Sequence, residues 1–297
     1  MSILQPMSGS QIHSYNRKRR TKSSWIVLTL VIGVVALWFL PLYAVLNYSL
    51  KNPFTEFAGT IFTPAKSVHI VRYVQAWKEA NLTPLFWNSV FISGVATIIS
   101  LFFAFFISFG IGIGRSKHRV KIMAACMVAF AIPQEAVMFP GYKISRYLNL
   151  YGTQIAVAII LGILYATFAT FLLTQVISDL PKETIEAAQI DGASSFQLLR
   201  KIILPIIKPT LLTLAAMIFI WCWNEYMIPL IMLPDNETQT LPMAIGMALG
   251  GNPDTGSPGP NPYMMSMAAV LGSLPSLAFF LIFQNTLTRG VTAGSTN

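Results

Sequence analysis

Two carboxylates stand in apolar surroundings, Glu135 in AIPQEAVMFP and Glu225 in WCWNEYMIPL. An ionisable group inside a bilayer costs roughly 2.5–3.5 kcal/mol on insertion scales, so it is paired, snorkels to the interface, or lines a polar cavity. Glu225 belongs to the run Trp221, Trp223, Asn224, Glu225, Tyr226, whose chemistry suits a sugar. Aromatic faces stack on pyranose C–H surfaces, and amide and carboxylate groups bond hydroxyls. Aromatic residues also collect at any membrane interface, so the plainer reading stays open beside this one. Other chemistry has no support. There is no GxxxxGK[ST] phosphate-binding sequence, so a chain driven by ATP would need another subunit to hydrolyse it. Neither a Ser-His-Asp nor a Cys-His arrangement can be drawn. Cys126 and Cys222 fall in apolar segments, and His13, His69 and His118 are scattered without ligand spacing, so no metal or cofactor site is expected.

The other constellation is Glu186 to Pro209, EAAQIDGASSFQLLRKIILPIIKP, mixed in charge between two long apolar segments. It reads as two short helices separated at Asp191-Gly192. Pro181 and Glu183 suit a helix start, and Glu186 to Gln189 are good helix formers. Gly192 allows the turn that ends the first piece. Ser194 and Ser195 can cap the second, with Arg200, Lys201 and Lys208 near its end. Pro205 and Pro209 are then expected to break the run.

The elements that carry these groups are apolar. Of 297 residues, 54% are hydrophobic and 10% charged, against about 25% charged in a soluble domain, and the mean hydropathy is +0.61. The chain is therefore an integral membrane protein. Six spans of about 20 residues or more are expected: Trp25 to Tyr48, Leu85 to Ile113, Val120 to Gly141, Thr153 to Ile177, Thr210 to Leu233 and Tyr263 to Phe283. The first is too long for a signal-peptide core. Polar connections are expected at residues 49–84 and 142–152, and a Gly/Pro/Asn-rich loop at 234–262. The net charge of +9 comes from Lys and Arg beside the spans, which sets orientation and argues against nucleic-acid binding. With the N-terminus inside, 14 basic residues lie inside and 6 outside, so both termini and the 186–209 loop are placed in the cytoplasm. The expected fold is an all-α polytopic membrane protein: a cytoplasmic segment 1–24, a six-span domain 25–285 with the helix-pair loop at 178–209 between spans 4 and 5, and a cytoplasmic tail 286–297. No internal repeat is visible, so one such chain is too small to form both halves of an alternating-access transporter.

Glu186, Ala187, Ala188, Asp191, Gly192, Ala193, Ile202, Leu204 and Pro205, together with Phe196, resemble the EAA loop of the membrane subunits of ATP-binding-cassette importers, in the MalG-type form of carbohydrate uptake systems. Asn88-Ser89, Pro133 with Pro140 and Tyr142, Trp223-Asn224-Glu225 with Pro229, and Gln284 with Gly290 and Gly294 extend the likeness from span 1 to the tail. Leu199 stands where the family often has Phe, and Leu148-Asn149-Leu150 replaces the usual Leu-Gly-Leu. The stretch from Phe102 to Gly110 is more aromatic than usual, and the tail lacks the common lysine. The resemblance implies a permease subunit in a bacterial or archaeal cytoplasmic membrane. Its loop would dock on an ATPase dimer that carries the ATP and Mg²⁺, beside a homologous second permease and an external solute-binding protein. It further implies a sugar, oligosaccharide, polyol or glycerol phosphate as cargo; on the chemistry of the residues themselves, Glu135, Trp223, Asn224, Glu225 and Tyr226 are the candidate translocation path. The alternatives are a permease for another solute, a stand-alone ion-coupled carrier or channel, and a membrane anchor.

Overall fold

The structure, a computed structural model, describes residues 22–51, 62–66, 68–79, 81–113, 117–250 and 262–293. Most of the expected cytoplasmic segment 1–24, Arg115, residues 251–261 of the loop expected at 234–262, and Gly294 with the end of the tail lie outside the described residues. Among those described, the chain is helical and has no strand.

The chain divides into two units, Met1–Ser67 and Val68–Asn297. The first holds α1 (Lys22–Leu50), whose apolar side chains, Trp25, Leu30, Leu37, Trp38 and Phe39 among them, are exposed. Its C-terminal end is tied to the following segment. The Asn47 amide donates to the Thr63 carbonyl at 2.8 Å and accepts from Ala65 N–H at 2.9 Å. Lys51 Nζ donates to Thr63 Oγ1 at 2.9 Å.

The second unit holds the remaining helices: α2 (Val71–Glu79), α3 (Leu82–Ile113), α4 (Arg119–Ala131), α5 (Gln134–Tyr147), α6 (Gln154–Ser178), α7 (Lys182–Ile190), α8 (Ser195–Gln197), α9 (Leu204–Trp223), α10 (Met227–Met232), α11 (Leu241–Gly250) and α12 (Pro262–Ala293). A π-helical segment, Leu198–Ile203, joins α8 to α9. Among the described residues of the two units, five helical runs, α1 included, are long and apolar enough to cross a membrane, and the α4–α5 pair makes a sixth if it is taken as one bent span.

The centre of the unit is α3 against α6. Side-chain contacts pair Ile99 with Gly162, Ser108 with the Thr170 carbonyl (3.0 Å) and Ile177 with Gly112. Both numberings rise together, so the two helices run parallel. Small residues permit the approach, as expected where lipid is as apolar as the side chains and close packing must supply the association. Gly162 is the tightest point, because a Cβ there would lie 2.7 Å from Ile99 Cγ2 and 3.1 Å from the Ala96 carbonyl. The buried core adds Ile203, Ile207, Leu214 and Ile218 of the π segment and α9.

Several expectations are corrected. Span 3 is not one helix, because α4 and α5 meet at a 91° bend. Pro133 pushes the residue before it out of the helical region, and Ile132 takes φ −66, ψ 128. The connection expected at 142–152 is helical as far as Tyr147. Asn149 then turns the chain at φ +56, a left-handed conformation that Asn tolerates. Pro205 and Pro209 do not end the run, since apolar helix continues from Ser195 to Trp223. The π segment makes room for Pro205: Leu204 N–H bonds back to Leu199 O, and the ring sits in the first turn of α9, where a missing N–H costs little. Span 5 does not reach Leu233 but stops at Trp223. The polar stretch 49–84 contains α2, and the loop expected at 234–262 contains α11.

Candidate functional site

The 178–209 loop is built by local rules. Pro181 is the N-cap of α7, and Glu183 lies in its first turn. At the other end, Gly192 has φ +77. Gly192 N–H donates to Gln189 O at 3.1 Å, and Ala193 N–H donates to Ala188 O at 3.0 Å. These are the two bonds of a Schellman motif, which needs a left-handed residue after the cap. Ala188 is 9% exposed, and Ala193 packs on the cluster that contains it, which supplies the apolar contact of that motif. Asp191 is the C-cap, with its N–H on Ala187 O at 3.0 Å. Ser194 then opens the second helix with a capping box. Its Oγ accepts from Gln197 N–H at 3.3 Å, and Gln197 Oε1 accepts from Ser194 N–H at 2.9 Å.

The loop residues separate into two sets. Glu186, Ala187, Asp191, Gly192, Phe196 and Pro205 are exposed. Ala188, Ala193, Ile202 and Leu204 are buried or half-buried and hold the loop to the core. Leu199, the departure from the usual Phe, is also buried. One residue of the exposed face was missed in the sequence. Ile190 is 85% exposed, and Phe196 is 64% exposed. The signal was present: Ile190 lies two positions after the inward Ala188, about 200° round the helix, and so must point away from the core.

The second region is the gap between α9 and α10. Asn224 caps α9, with its N–H on Ile220 O at 3.1 Å and its amide on the same oxygen at 2.8 Å. Asn224 and Tyr226 line a hollow of about 460 Å³ with Pro242, Ile245, Gly246, Ala269, Gly272 and Ser273. Glu225 lies between them, 9% exposed. Its Oε1 accepts from Met227 N–H at 3.0 Å and Ile228 N–H at 3.2 Å.

The sequence-based path set is therefore only partly brought together. Trp223 is 1% exposed. It packs edge-on to Phe86 at 5.6 Å and near Phe219 at 6.2 Å, and Nε1 donates to Gly272 O at 3.4 Å. It is a core residue and not part of the hollow's wall. Glu135 is exposed in the first turn of α5 and does not line the hollow. Trp221 joins an aromatic cluster with Phe130, Tyr165 and Phe168 at 5.1–6.0 Å. Gln134, which the sequence did not single out, donates to the Tyr165 hydroxyl at 2.8 Å beside it.

A more polar hollow of about 660 Å³ lies between the start of α3 and residues 236–244, with Asn81, Glu237 and Gln239 in its wall. Asn88 donates to Glu237 O at 2.7 Å and Gln239 O at 2.9 Å, and Ser89 Oγ accepts from Leu241 N–H at 2.8 Å. The Asn88-Ser89 pair thus fixes the segment entering α11. Among the described residues, no group of three or more His, Cys, Asp and Glu could hold a metal ion.

Comparisons with known proteins match this architecture. A solved bacterial ABC transporter involved in the import of the acidic polysaccharide alginate shares the fold at a TM-score of 0.74 and 20% identity, over 91% of this chain and 98% of that one. The arabinooligosaccharides transport permease AraQ of Halalkalibacterium halodurans is 30% identical over 93% of this chain and 98% of its own length. The melibiose/raffinose/stachyose import permease MelC of Bacillus subtilis is 28% identical over 94% and 99% respectively. The model of the binding-protein-dependent transport system inner membrane component matches residues 7–293. With the whole apolar bundle covered by that match, the chain belongs to the family of binding-protein-dependent transport system inner membrane components.

Proposed function

We propose that the chain is one permease subunit of an ATP-driven importer for a sugar or oligosaccharide. The observation that carries this is the joining of the two ends. The exposed helix-turn-helix at Glu186–Phe196 is continuous, through the π segment, with the span that ends at the Asn224–Tyr226 gap. Closure of an ATPase dimer on the loop would move α9 as one lever and alter the hollow at its far end. Ile190 and Phe196 give the docking face an apolar centre, and Glu186 and Asp191 give it a charged rim. The cargoes of the relatives, melibiose, raffinose and stachyose for one and arabinooligosaccharides for the other, support a carbohydrate for this chain. Asn224 and Tyr226 suit it chemically.

The same reading places both termini and the coupling loop in the cytoplasm, by the excess of Lys and Arg there. It assigns ATP and Mg²⁺ to a separate ATPase dimer, the second half of the path to a homologous permease, and delivery to an external solute-binding protein. A binding protein accompanies the alginate transporter in a second solved structure. The exposed apolar face of α1 faces lipid or the other permease. The host membrane is the cytoplasmic membrane of a bacterium or archaeon.

The test is ATPase activity in proteoliposomes holding this chain, its partner permease and the ATPase, with the binding protein and a panel of sugars. One sugar or oligosaccharide series should stimulate hydrolysis. An intact complex that responds to no sugar but to another solute overturns the carbohydrate reading. Uptake by this chain alone, insensitive to ATP, overturns the importer.

A further inference from the structure

We infer that Glu225 is a positioning residue. Its carboxylate caps the start of α10, holds open the gap between α9 and α10, and so sets Asn224 and Tyr226 at the hollow without binding cargo itself. The inference rests on the reading of that hollow as part of the translocation path.

The argument is an accounting of backbone groups. A helix leaves its first amides without intrahelical partners, and in a membrane such groups must be satisfied within the protein. A helix that stops at Trp223 and restarts at Met227 creates this problem in mid-chain. Here every amide of the first turn of α10 is settled. Met227 and Ile228 N–H converge on Glu225 Oε1 at 3.0 and 3.2 Å. Pro229 brings no N–H, and Leu230 N–H reaches Tyr226 O at 3.1 Å. The sequence Glu225-Tyr226-Met227-Ile228-Pro229 thus carries one acceptor for two donors and removes the third. One carboxylate oxygen is turned into this cap, and the residue is 9% exposed. Its neighbours on either side, Asn224 and Tyr226, form the wall of the hollow. A cargo ligand or proton carrier in a path would instead face the cavity.

The reasoning predicts what the replacement must retain. Glu225→Gln keeps an oxygen at the same reach and loses the charge. Glu225→Met keeps the size and loses the acceptor. In the reconstituted complex, Gln should transport within about twofold of the native chain, with an unchanged pH profile between pH 6 and 8. Met should lower maximal uptake tenfold or more and raise the ATP hydrolysed per sugar. The binding-protein concentration for half-maximal stimulation should stay the same. Amide hydrogen exchange over residues 226–232 should accelerate in Met and not in Gln.

Gln as impaired as Met, without faster exchange, would mean that the charge itself is used and overturns the proposal. Met with faster exchange but native uptake also overturns it, because the cap would then not bear on transport. If Met fails to insert, Gln decides alone: native uptake and pH profile support the cap, and loss of either refutes it. If neither Asn224→Ala nor Tyr226→Ala alters uptake of any sugar, the reading of the hollow fails, while the exchange comparison still judges the cap.

Discussion

Gly192 is the position where a small change should separate coupling from folding. Its φ of +77 belongs to the left-handed region, and its own N–H and that of Ala193 close the Schellman bonds to Gln189 O and Ala188 O. A Cβ at this position would meet nothing within 4 Å. The cost of a side chain is therefore backbone strain alone, about 1–2 kcal/mol for an ordinary L-residue. At about 1.4 kcal/mol per tenfold, the closed turn should be depleted by a factor of about 5 to 30. Span packing lies elsewhere, so membrane insertion should be unaffected. The expected order of coupling is Gly, then Asn, which tolerates this conformation, then Ala, then β-branched Val. Gly192→Asp is a separate probe, because Asp also tolerates the turn but adds a charge to the exposed docking face. It should uncouple more than Asn does. The assay is cargo-stimulated ATPase and uptake in proteoliposomes, normalised to the amount of assembled complex. Normal coupling in both Ala and Val, or Asn as impaired as Val, would refute the conformational argument.

Three further outcomes are expected. Gly162→Ala should destabilise the α3–α6 contact by about 1–3 kcal/mol through overpacking, seen as a lower melting temperature in detergent. Gly94→Ala, where a Cβ meets nothing within 4 Å, should not, and equal effects would reject the packing account. Ser194→Ala should cost about 1 kcal/mol by removing the cap of α8, read as faster amide exchange at 195–198. Ser194→Asp should restore protection, and no change in Ala would dismiss the capping box. Gly246→Ala would place its Cβ against the Tyr226 ring, 3.0 Å from Cζ, and so displace a ring that lines the hollow. Uptake of the longest oligosaccharides should fall most; equal loss at every chain length would count against a steric role.

The local structure of the 178–209 loop was legible almost residue by residue. Its helix start at Pro181, its turn at Gly192 and its cap at Ser194 depend on bonds that span two to five positions, so residue type nearly suffices. The spans were legible for a related reason. A bilayer demands runs of about 20 apolar residues; what escaped was the break in span 3 and both ends of span 5, which begins before Pro205 and stops at Trp223.

What the chain order could not decide was which side of an apolar residue meets protein. Trp223 and Tyr226 are three positions apart, yet one is sealed against Phe86 and Phe219 and the other lines the hollow. Lipid is as apolar as a protein core, so hydropathy carries no sign of the inward face. The 91° bend at Pro133 was legible as a proline but not as an angle, since the angle depends on what α4 and α5 pack against. Glu225 shows the limit best. Its composition suggested a ligand for cargo, and only the placement of two backbone amides made it a cap. Sequence by itself determined the membrane class, the helix-turn-helix at 178–209 and the resemblance to the family, because those rest on composition and local turns. Tertiary structure alone decided the walls of the hollow and the hydrogen bonds of the buried Glu225, because those rest on contacts between helices and on where a helix stops.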